Sequence, residues 1–456
     1  MTAPSGADPE EARAFLAAHP GIEAVDLILT DANGIARGKI IRRHELMGIY
    51  TAGRHLPVSI LGLDILGEDV HETGLIWDQG DGDLRAWPIP GTLVPLHGTN
   101  RAEVLLAMHH LDGAPMTADP RHALARQVAA LAGAGMRATA AFELEFFLFD
   151  GAEGGGRPRP APAVLDGRRS ARTEVYAVDD LHGMLPLLDA VYAGAAAAGI
   201  TAETVISEYA PGQYELTLHW RDDPLRAADD LIRLKRIVRA AARARGLAAC
   251  FMAKPVEKYA GSGMHLHIAL HGADGNLFAE TAPGAWPDAL RHALGGLLAT
   301  LGESMLVFAP HANSWRRFAA QSYAPTAPTW GVNNRSVALR IPAGPAAARR
   351  IEHRVAGVDA NPYLVAATVI AGMRHGLTHS LDPGPETTGN AYASAAPAGM
   401  PADWGAAIAA ARGSDFLRGA LGPDLHRTFT AIKAAEHARV ARTIPDVDYD
   451  LYFHRV

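Results

Sequence analysis

Residues 142–147 read Phe-Glu-Leu-Glu-Phe-Phe, and no other run constrains the fold as strongly. Strand alternation puts Glu143 and Glu145 on one face, and the apolar side chains largely take the other. Two adjacent carboxylates repel unless cations sit between them, and the aromatic flanks point to burial rather than to an exposed face. A second run, Arg350-Ile351-Glu352-His353-Arg354, alternates in the same way, with Arg350, Glu352 and Arg354 on one side. A carboxylate between guanidiniums binds metal and phosphate together. Phosphoryl transfer needs that combination, because it is mostly positioning and neutralising anionic oxygens.

A chain of 456 residues requires two or three domains. Residues 9–19 read as a helix. Ala24–Leu29 and Ile35–Arg42 read as strands joined by a Thr30–Gly34 hairpin signal, and Arg101–His110 reads as another strand. The aperiodic stretch Asp112–Pro120 is the expected boundary, which gives domains of 1–111 and 112–456. Beyond it, helices are expected over Arg121–Ala132, Leu181–Ala198, Asp223–Arg245, Trp286–Leu301, Pro362–Ser380 and Arg427–Thr443. Strands are expected over Arg137–Phe149, Thr201–Glu208, Gln213–His219, Gly263–Leu270, Ser336–Pro342 and Arg350–Val355, and surface loops over Gly151–Pro162 and Asp382–Pro401. A net charge of −7 without a basic block argues against nucleic acid as the main partner. No apolar run is long enough to span a membrane and no signal pattern opens the chain. The single cysteine, Cys250, allows no intrachain disulfide, so a cytoplasmic protein is expected.

Three further groups carry chemistry. Glu208 and Glu215 bracket a Pro-Gly turn that could bring both carboxylates to the mouth of a hairpin. Gly261-Ser262-Gly263 leads into a strand with His265 and His267 on one face, a pattern that fits either a metal site or two packed histidines. Arg317, Arg335, Arg340, Arg350 and Arg354 lie in otherwise apolar segments, where an arginine fork needs carboxylate or phosphate partners. No GxxxxGK[ST] phosphate loop or GxSxG elbow is present, and Cys250 lies in an apolar run that reads as core.

Taken in order, these pieces resemble the glutamine synthetase family over nearly the whole chain. The matching segments are Asp31–Lys39, Phe142–Phe147, Glu208–Glu215, Lys254-Pro255, Gly261–His267, Asn313–Arg317, Asn334–Pro342, Arg349–Arg354 and Asn361–Tyr363. The resemblance implies an α+β chain, with a small β-grasp N-terminal domain before a catalytic domain of antiparallel sheet and flanking helices. It also implies two stacked hexameric rings, a dodecamer, with active sites between neighbouring subunits. Two or three Mg²⁺ or Mn²⁺ ions per site are implied, one held by Glu145, Glu208 and Glu215 and another by Glu143, His265 and Glu352. Glu203, Trp220, His267, Arg340 and Arg350 match positions around ATP and its transferred phosphoryl group. Gly261 and Arg317 match the glutamate site, and Arg335 and Arg354 match positions around the phosphoryl group and the substrate γ-carboxylate.

The chain departs from the pattern where ammonium is handled. Ammonia-using members carry a flap glutamate, whereas here the flap reads Gln321-Ser322-Tyr323-Ala324-Pro325, and Pro57 stands about where an N-terminal aspartate belongs. An alkyl ammonium with a pKa near ~10.4 is only about one part in ~10³ neutral at pH 7, so carboxylates are needed to attract it and take its proton. Without them, an amine bearing carbon gains roughly 0.8 kcal/mol per buried CH₂ against Pro57 and Tyr323. The resulting expectation is a glutamate–amine ligase acting on glutamate and a small alkylamine, ethanolamine or a polyamine. Two alternatives stay open. One is an ammonia-using enzyme in which Asp64 replaces the lost acid; the other is a non-catalytic scaffold or nucleotide sensor.

Overall fold

A computed structural model of the chain describes residues 6–151, 158–280, 282, 284–393 and 400–456. Parts of the two expected loops, residues 152–157 and 394–399, lie outside the described residues. The N-terminal unit carries helices α1 (Pro9–Ala18) and α2 (Leu46–Ala52) against a six-stranded sheet. Its strands are β1 (Ala24–Thr30), β2 (Ala36–Arg42), β3 (Arg54–Pro57), β4 (Asp83–Pro88), β5 (Val94–Pro95) and β6 (Arg101–His109). They lie in the order β2-β1-β6-β4-β3, with β5 on β6 and only β1–β6 parallel. The β1–β2 hairpin falls where Asp31 and Gly34 predict it. The Asp31 carboxylate accepts the backbone N–H groups of Asn33 and Ile35, each at 2.9 Å, and pairs with Arg37. This unit has its own core, built on residues such as Val25, Leu27, Tyr50 and Val104.

A nine-stranded sheet forms the rest. Its strands are β7 (Arg137–Asp150), β8 (Ala202–Ser207), β9 (Gln213–Leu218), β10 (Leu247–Cys250), β11 (Met264–Gly272), β12 (Gly275–Asn276), β13 (Trp330–Val332), β14 (Leu339–Ile341) and β15 (Ile351–His353). The order is β13-β14-β15-β11-β7-β9-β8, with β10 on β7 and β12 on β11. Helices α3 (Pro120–Gly133), α4 (Val178–Ala197), α5 (Pro224–Arg243), α6 (Asp288–Ala299), α7 (Leu301–Phe308) and α8 (Ala312–Trp315) come next, followed by α9 (Pro362–His379) and α10 (Trp404–Gly413). The chain ends in α11 (Asp415–Leu421), α12 (Pro423–Arg442) and α13 (Asp446–Tyr452). Among the described residues, no helix is long and apolar enough to cross a membrane.

Helix starts follow from local chemistry. Asp119, Asp223 and Asn361 each accept a backbone N–H two residues on, and a proline fills the next position in all three. The expected helix over Trp286–Leu301 breaks at Thr300, whose hydroxyl donates back to the Gly296 carbonyl, and continues as α7. The expected strand Ser336–Pro342 shrinks to β14, because Asn334 closes a turn onto Ser336 at 3.0 Å. Cys250 lies half-buried on the strand β10 rather than in the deep core. The two units are bound by ion pairs: Glu103 takes Arg233 and Arg236, each at 3.1 Å, and Asp26 takes Arg236 at 3.3 Å.

Candidate functional site

Strand register assembles the site. β7 lies between β11 and β9 and sets Glu143 opposite both His265 and Thr217, with Glu145 opposite Glu215. β11 pairs with β15 and β15 with β14, so Glu352 faces His267 on one side and Arg340 on the other. The two-residue period then sends these side chains to one face. Their neighbours Phe142, Leu144, Phe146 and Leu266 are fully buried behind the sheet.

Two ligand groups result, each with donor atoms within 4.8 Å of one another: Glu143, His265 and Glu352, and Glu145, Glu215 and His265. The first is the expected set. In the second, His265 stands where Glu208 was expected. Glu208 turns back to accept its neighbour Tyr209's N–H at 3.1 Å. His265 reaches both groups, with Nδ1 2.9 Å from Glu143 and 3.7 Å from Glu352, and Nε2 3.8 Å from Glu145. Glu145 also accepts the Gly263 N–H at 2.7 Å. A Cβ on Gly263 would come within 2.8 Å of Arg317 Nη2 and 3.0 Å of His265 Nε2, so a side chain there would displace the ends of Arg317 or His265.

The electrostatics are those of crowded acids. Burial and the charges of Glu143, Glu145, Glu208 and Glu352 push Glu215 up to about 10. Burial and Glu145 push Glu208 up to about 7. Burial opposes ionisation of Glu143 as well, but hydrogen bonds from His265 and His267 hold its carboxyl far below the usual range. Glu352 is likewise buried, yet Arg354 first and the nearby histidines bring it down to about 2. Divalent cations relieve this kind of crowding, and an oxygen-rich donor set with one imidazole fits Mg²⁺ or Mn²⁺.

Guanidiniums close the far side. Glu352 pairs with Arg354 and, at 2.7 Å, with Arg340. Arg317 is buried; its Nη1 donates to Val355 O at 2.8 Å and its Nη2 to Arg354 O at 3.2 Å, which leaves further N–H groups of the fork for a ligand. A Cβ on Gly261 would lie 2.7 Å from Arg317 Cγ, so that glycine makes room for the arginine stem. Burial alone would lower the Arg335 pKa, but the Tyr176 hydroxyl and the charges of Glu352 and Glu143 raise it. Beside the cage runs a cleft of about 400 Å³ lined by Glu143, Glu203, Trp220, His267 and Arg350. Trp220 is 54% exposed and flanks His219, which contacts Glu203 at 2.5 Å. Arg340 does not line this cleft; it sits on the cage side.

Two expected residues are not brought to the cage within one chain. The Asp64 carboxylate holds its own turn, accepting the N–H groups of Leu66 and Glu68 at 2.9 Å each and pairing with Arg439 at 3.2 Å. Its acid is therefore already partnered. Pro57 lies on the edge strand β3 opposite Asp83. The structure adds Tyr176, which the sequence reading passed over, and gives Tyr392, whose Asn390–Ser394 context does not match the family's adenylylated tyrosine, a contact with the flap. Tyr176 has a φ of +59°, a conformation that residue identity does not announce. Tyr392 donates to the flap at Ala324 O, 2.9 Å away.

Comparison with known proteins agrees with this geometry. A family model described as glutamine synthetase, catalytic domain, matches residues 117–452. Gamma-glutamylputrescine synthetase PuuA of Escherichia coli (strain K12) is 40% identical over 84% of this chain and 81% of that protein. Gamma-glutamylethanolamide synthetase GlnA4 of Streptomyces coelicolor is 36% identical over 84% and 82%, and glutamate–isopropylamine ligase of a Pseudomonas species is 32% identical over 83% of each. Among solved structures, a GmaS/ADP complex superposes with a TM-score of 0.85 at 25% identity, covering 99% of this chain and 100% of that one. A match that spans both the acid-bearing sheet and the helices behind it leaves one conclusion: the chain belongs to the glutamine synthetase family.

Proposed function

We propose that this protein is an ATP-dependent ligase that joins the γ-carboxyl group of glutamate to an amine larger than ammonia. The observation that carries the reading is an intact carboxylate–arginine cage beneath a flap that offers Tyr323, 61% exposed, where an acid would be needed for ammonium. The relatives named for putrescine, isopropylamine and ethanolamine amides support it.

A carboxylate does not yield to an amine directly, because oxide is too poor a leaving group. Phosphorylation by ATP first gives γ-glutamyl phosphate, and the amine then displaces phosphate. Divalent cations held by Glu143, Glu145, Glu215, His265 and Glu352, with Glu208 alongside, would neutralise phosphate oxygens. Arg335, Arg340 and Arg354 meet the charge developing on the transferred group, and Arg317 takes the α-carboxylate of glutamate beside Gly261. Glu203, Trp220, His267 and Arg350 form the nucleotide wall. The test is glutamate-dependent ADP release with ammonia, isopropylamine, ethanolamine and putrescine. Faster turnover with ammonia than with every amine would overturn the reading.

The same proposal takes residues 1–111 as a β-grasp domain whose edge strand β3 carries Pro57 to a neighbour's site, in a cytoplasmic dodecamer of two stacked hexamers. Supporting the assembly, the C-terminal stretch exposes Ile444, Val447, Tyr449, Leu451, Tyr452, Phe453 and Val456. A tail this apolar needs a cover, and a facing subunit supplies one.

A further inference from the structure

The flap over the cage holds an unusual backbone. Gln321 and Tyr323 have φ values of +61° and +58°, a left-handed conformation that non-glycine residues seldom adopt. Two such residues within three positions require anchors that impose the shape. Ser322 donates its hydroxyl to Ala319 O at 2.6 Å, and Arg354 Nη2 donates to Tyr323 O at 3.5 Å. The third anchor comes from elsewhere in the chain: the Tyr392 hydroxyl donates to Ala324 O at 2.9 Å. Its turn is itself tied to the segment bearing Arg335. Ala391 N–H donates to Ser336 Oγ at 3.0 Å, and Asn334 Nδ2 donates to Gly389 O at 2.8 Å.

We propose that Tyr392 is a positioning residue that latches the flap to the phosphoryl-binding segment and so holds Tyr323 at the amine entrance. This rests on the ligase reading above. In the productive step the amine nitrogen bonds to the γ-carbon, the carbon–oxygen bond to phosphate breaks, and phosphate leaves with the electron pair. The nitrogen then gives up a proton to solvent. With the flap loose, water attacks the same carbon, phosphate leaves, and glutamate returns with one ATP spent and no amide made. Tyr392 therefore sets the coupling between nucleotide use and amide formation.

Tyr392→Phe removes only the hydroxyl. Amide formed per ADP released and KM for putrescine, ethanolamine and isopropylamine would be compared with wild type, alongside KM for ATP. The expected result is a roughly five- to tenfold rise in amine KM, as for the loss of one hydrogen bond, with a lower amide-to-ADP ratio and unchanged KM for ATP. Hydrogen exchange of residues 319–325 should accelerate by a similar factor while β7 and β11 stay protected. This second readout needs no amine, so it judges the latch even if wild type accepts none and the ligase reading falls. Unchanged flap exchange would overturn the proposal, as would an amine KM and ATP KM that rise together.

Discussion

Arg350 Nε donates to His267 Nδ1 across 3.0 Å, and this decides which ring nitrogen carries the proton. With Nδ1 accepting, the hydrogen sits on Nε2 and points at Glu143, 2.8 Å away. The proposed nucleotide wall and the carboxylate cage are thus linked through one imidazole. Arg350→Met frees Nδ1 and removes the reason for that tautomer. The expected outcome is a KM for ATP raised about tenfold or more, in line with a charge-assisted bond worth roughly 1.5–3 kcal/mol, with the amine KM unmoved. Initial-rate kinetics varying each substrate in turn would check it.

Glu352 is the most enclosed acid of the cage, pinned between Arg340 and Arg354. Glu352→Gln keeps the shape but leaves two guanidiniums without their counter-charge. Breaking a buried pair in this way costs about 3–5 kcal/mol. Thermal unfolding should shift down, and calorimetry should show Mg²⁺-dependent ADP binding weakened by at least roughly tenfold. Wild-type ADP affinity in the variant would remove Glu352 from the cage.

A second buried charge cluster, built around Glu436 on α12, predicts acid sensitivity. Burial works against ionisation of Glu436, but Lys433 and then His311 outweigh it and hold the carboxyl at about 2, against an ordinary 4.5. A depressed folded-state value means the unfolded chain binds more protons across that window. The stabilisation is therefore complete above pH 4.5 and lost as pH falls toward 2. Lys433 also donates to Asn33 in the β1–β2 turn, so the cluster fastens α12 to the N-terminal unit. Lys433→Met should lower stability at neutral pH by about 3–5 kcal/mol. The gap to wild type should narrow as the buffer is acidified, measured by urea unfolding at several pH values.

The parts of this fold legible in the sequence are those whose cause is local. Asp119, Asp223 and Asn361 announce helices because cap and proline are neighbours in the chain. Glu143 and Glu145 announce their face because alternation is a two-residue property. The short strands β10 and β13 carry no such pattern and exist only because β7 and β14 offer them an edge. The reach of His265 into both ligand groups was equally hidden, since it depends on how β9 and β11 flank β7. Asp64 illustrates the same limit. In sequence it is an acid in an apolar run with no visible partner, and Arg439, which satisfies it, lies on α12 near the other end of the chain.

The exposed C-terminal side chains give the assembly a direct test. Tyr449 and Phe453 contact each other with ring centroids 6.3 Å apart, Phe453 also meets His454 at 4.8 Å, and both remain more than half exposed. Replacing both with aspartate adds charge to a surface that the proposed facing ring must desolvate, at several kcal/mol per unpaired ion. The expected outcome is single rings or smaller species by light scattering for the variant, against the proposed double ring for wild type. An identical mass for both proteins would show that the tail has no part in assembly.

Tyr323 is the position at which the amine reading is most exposed. The residue is 61% exposed and its carbonyl is held by Arg354, so substitution of the side chain changes the entrance without removing that backbone anchor. Tyr323→Glu returns a carboxylate to a flap whose φ of +58° strains either residue alike. An acid there would attract ammonium and accept its proton, while a polar wall would cost a carbon-bearing amine roughly 0.8 kcal/mol for each CH₂ it no longer buries. The ratio of kcat/KM for ammonia to that for the best amine should therefore rise at least about tenfold, which corresponds to about 1.4 kcal/mol of changed discrimination. If the ratio stayed fixed while both activities fell together, amine choice would have to be made elsewhere, with Pro57 of a neighbouring subunit the next residue to change.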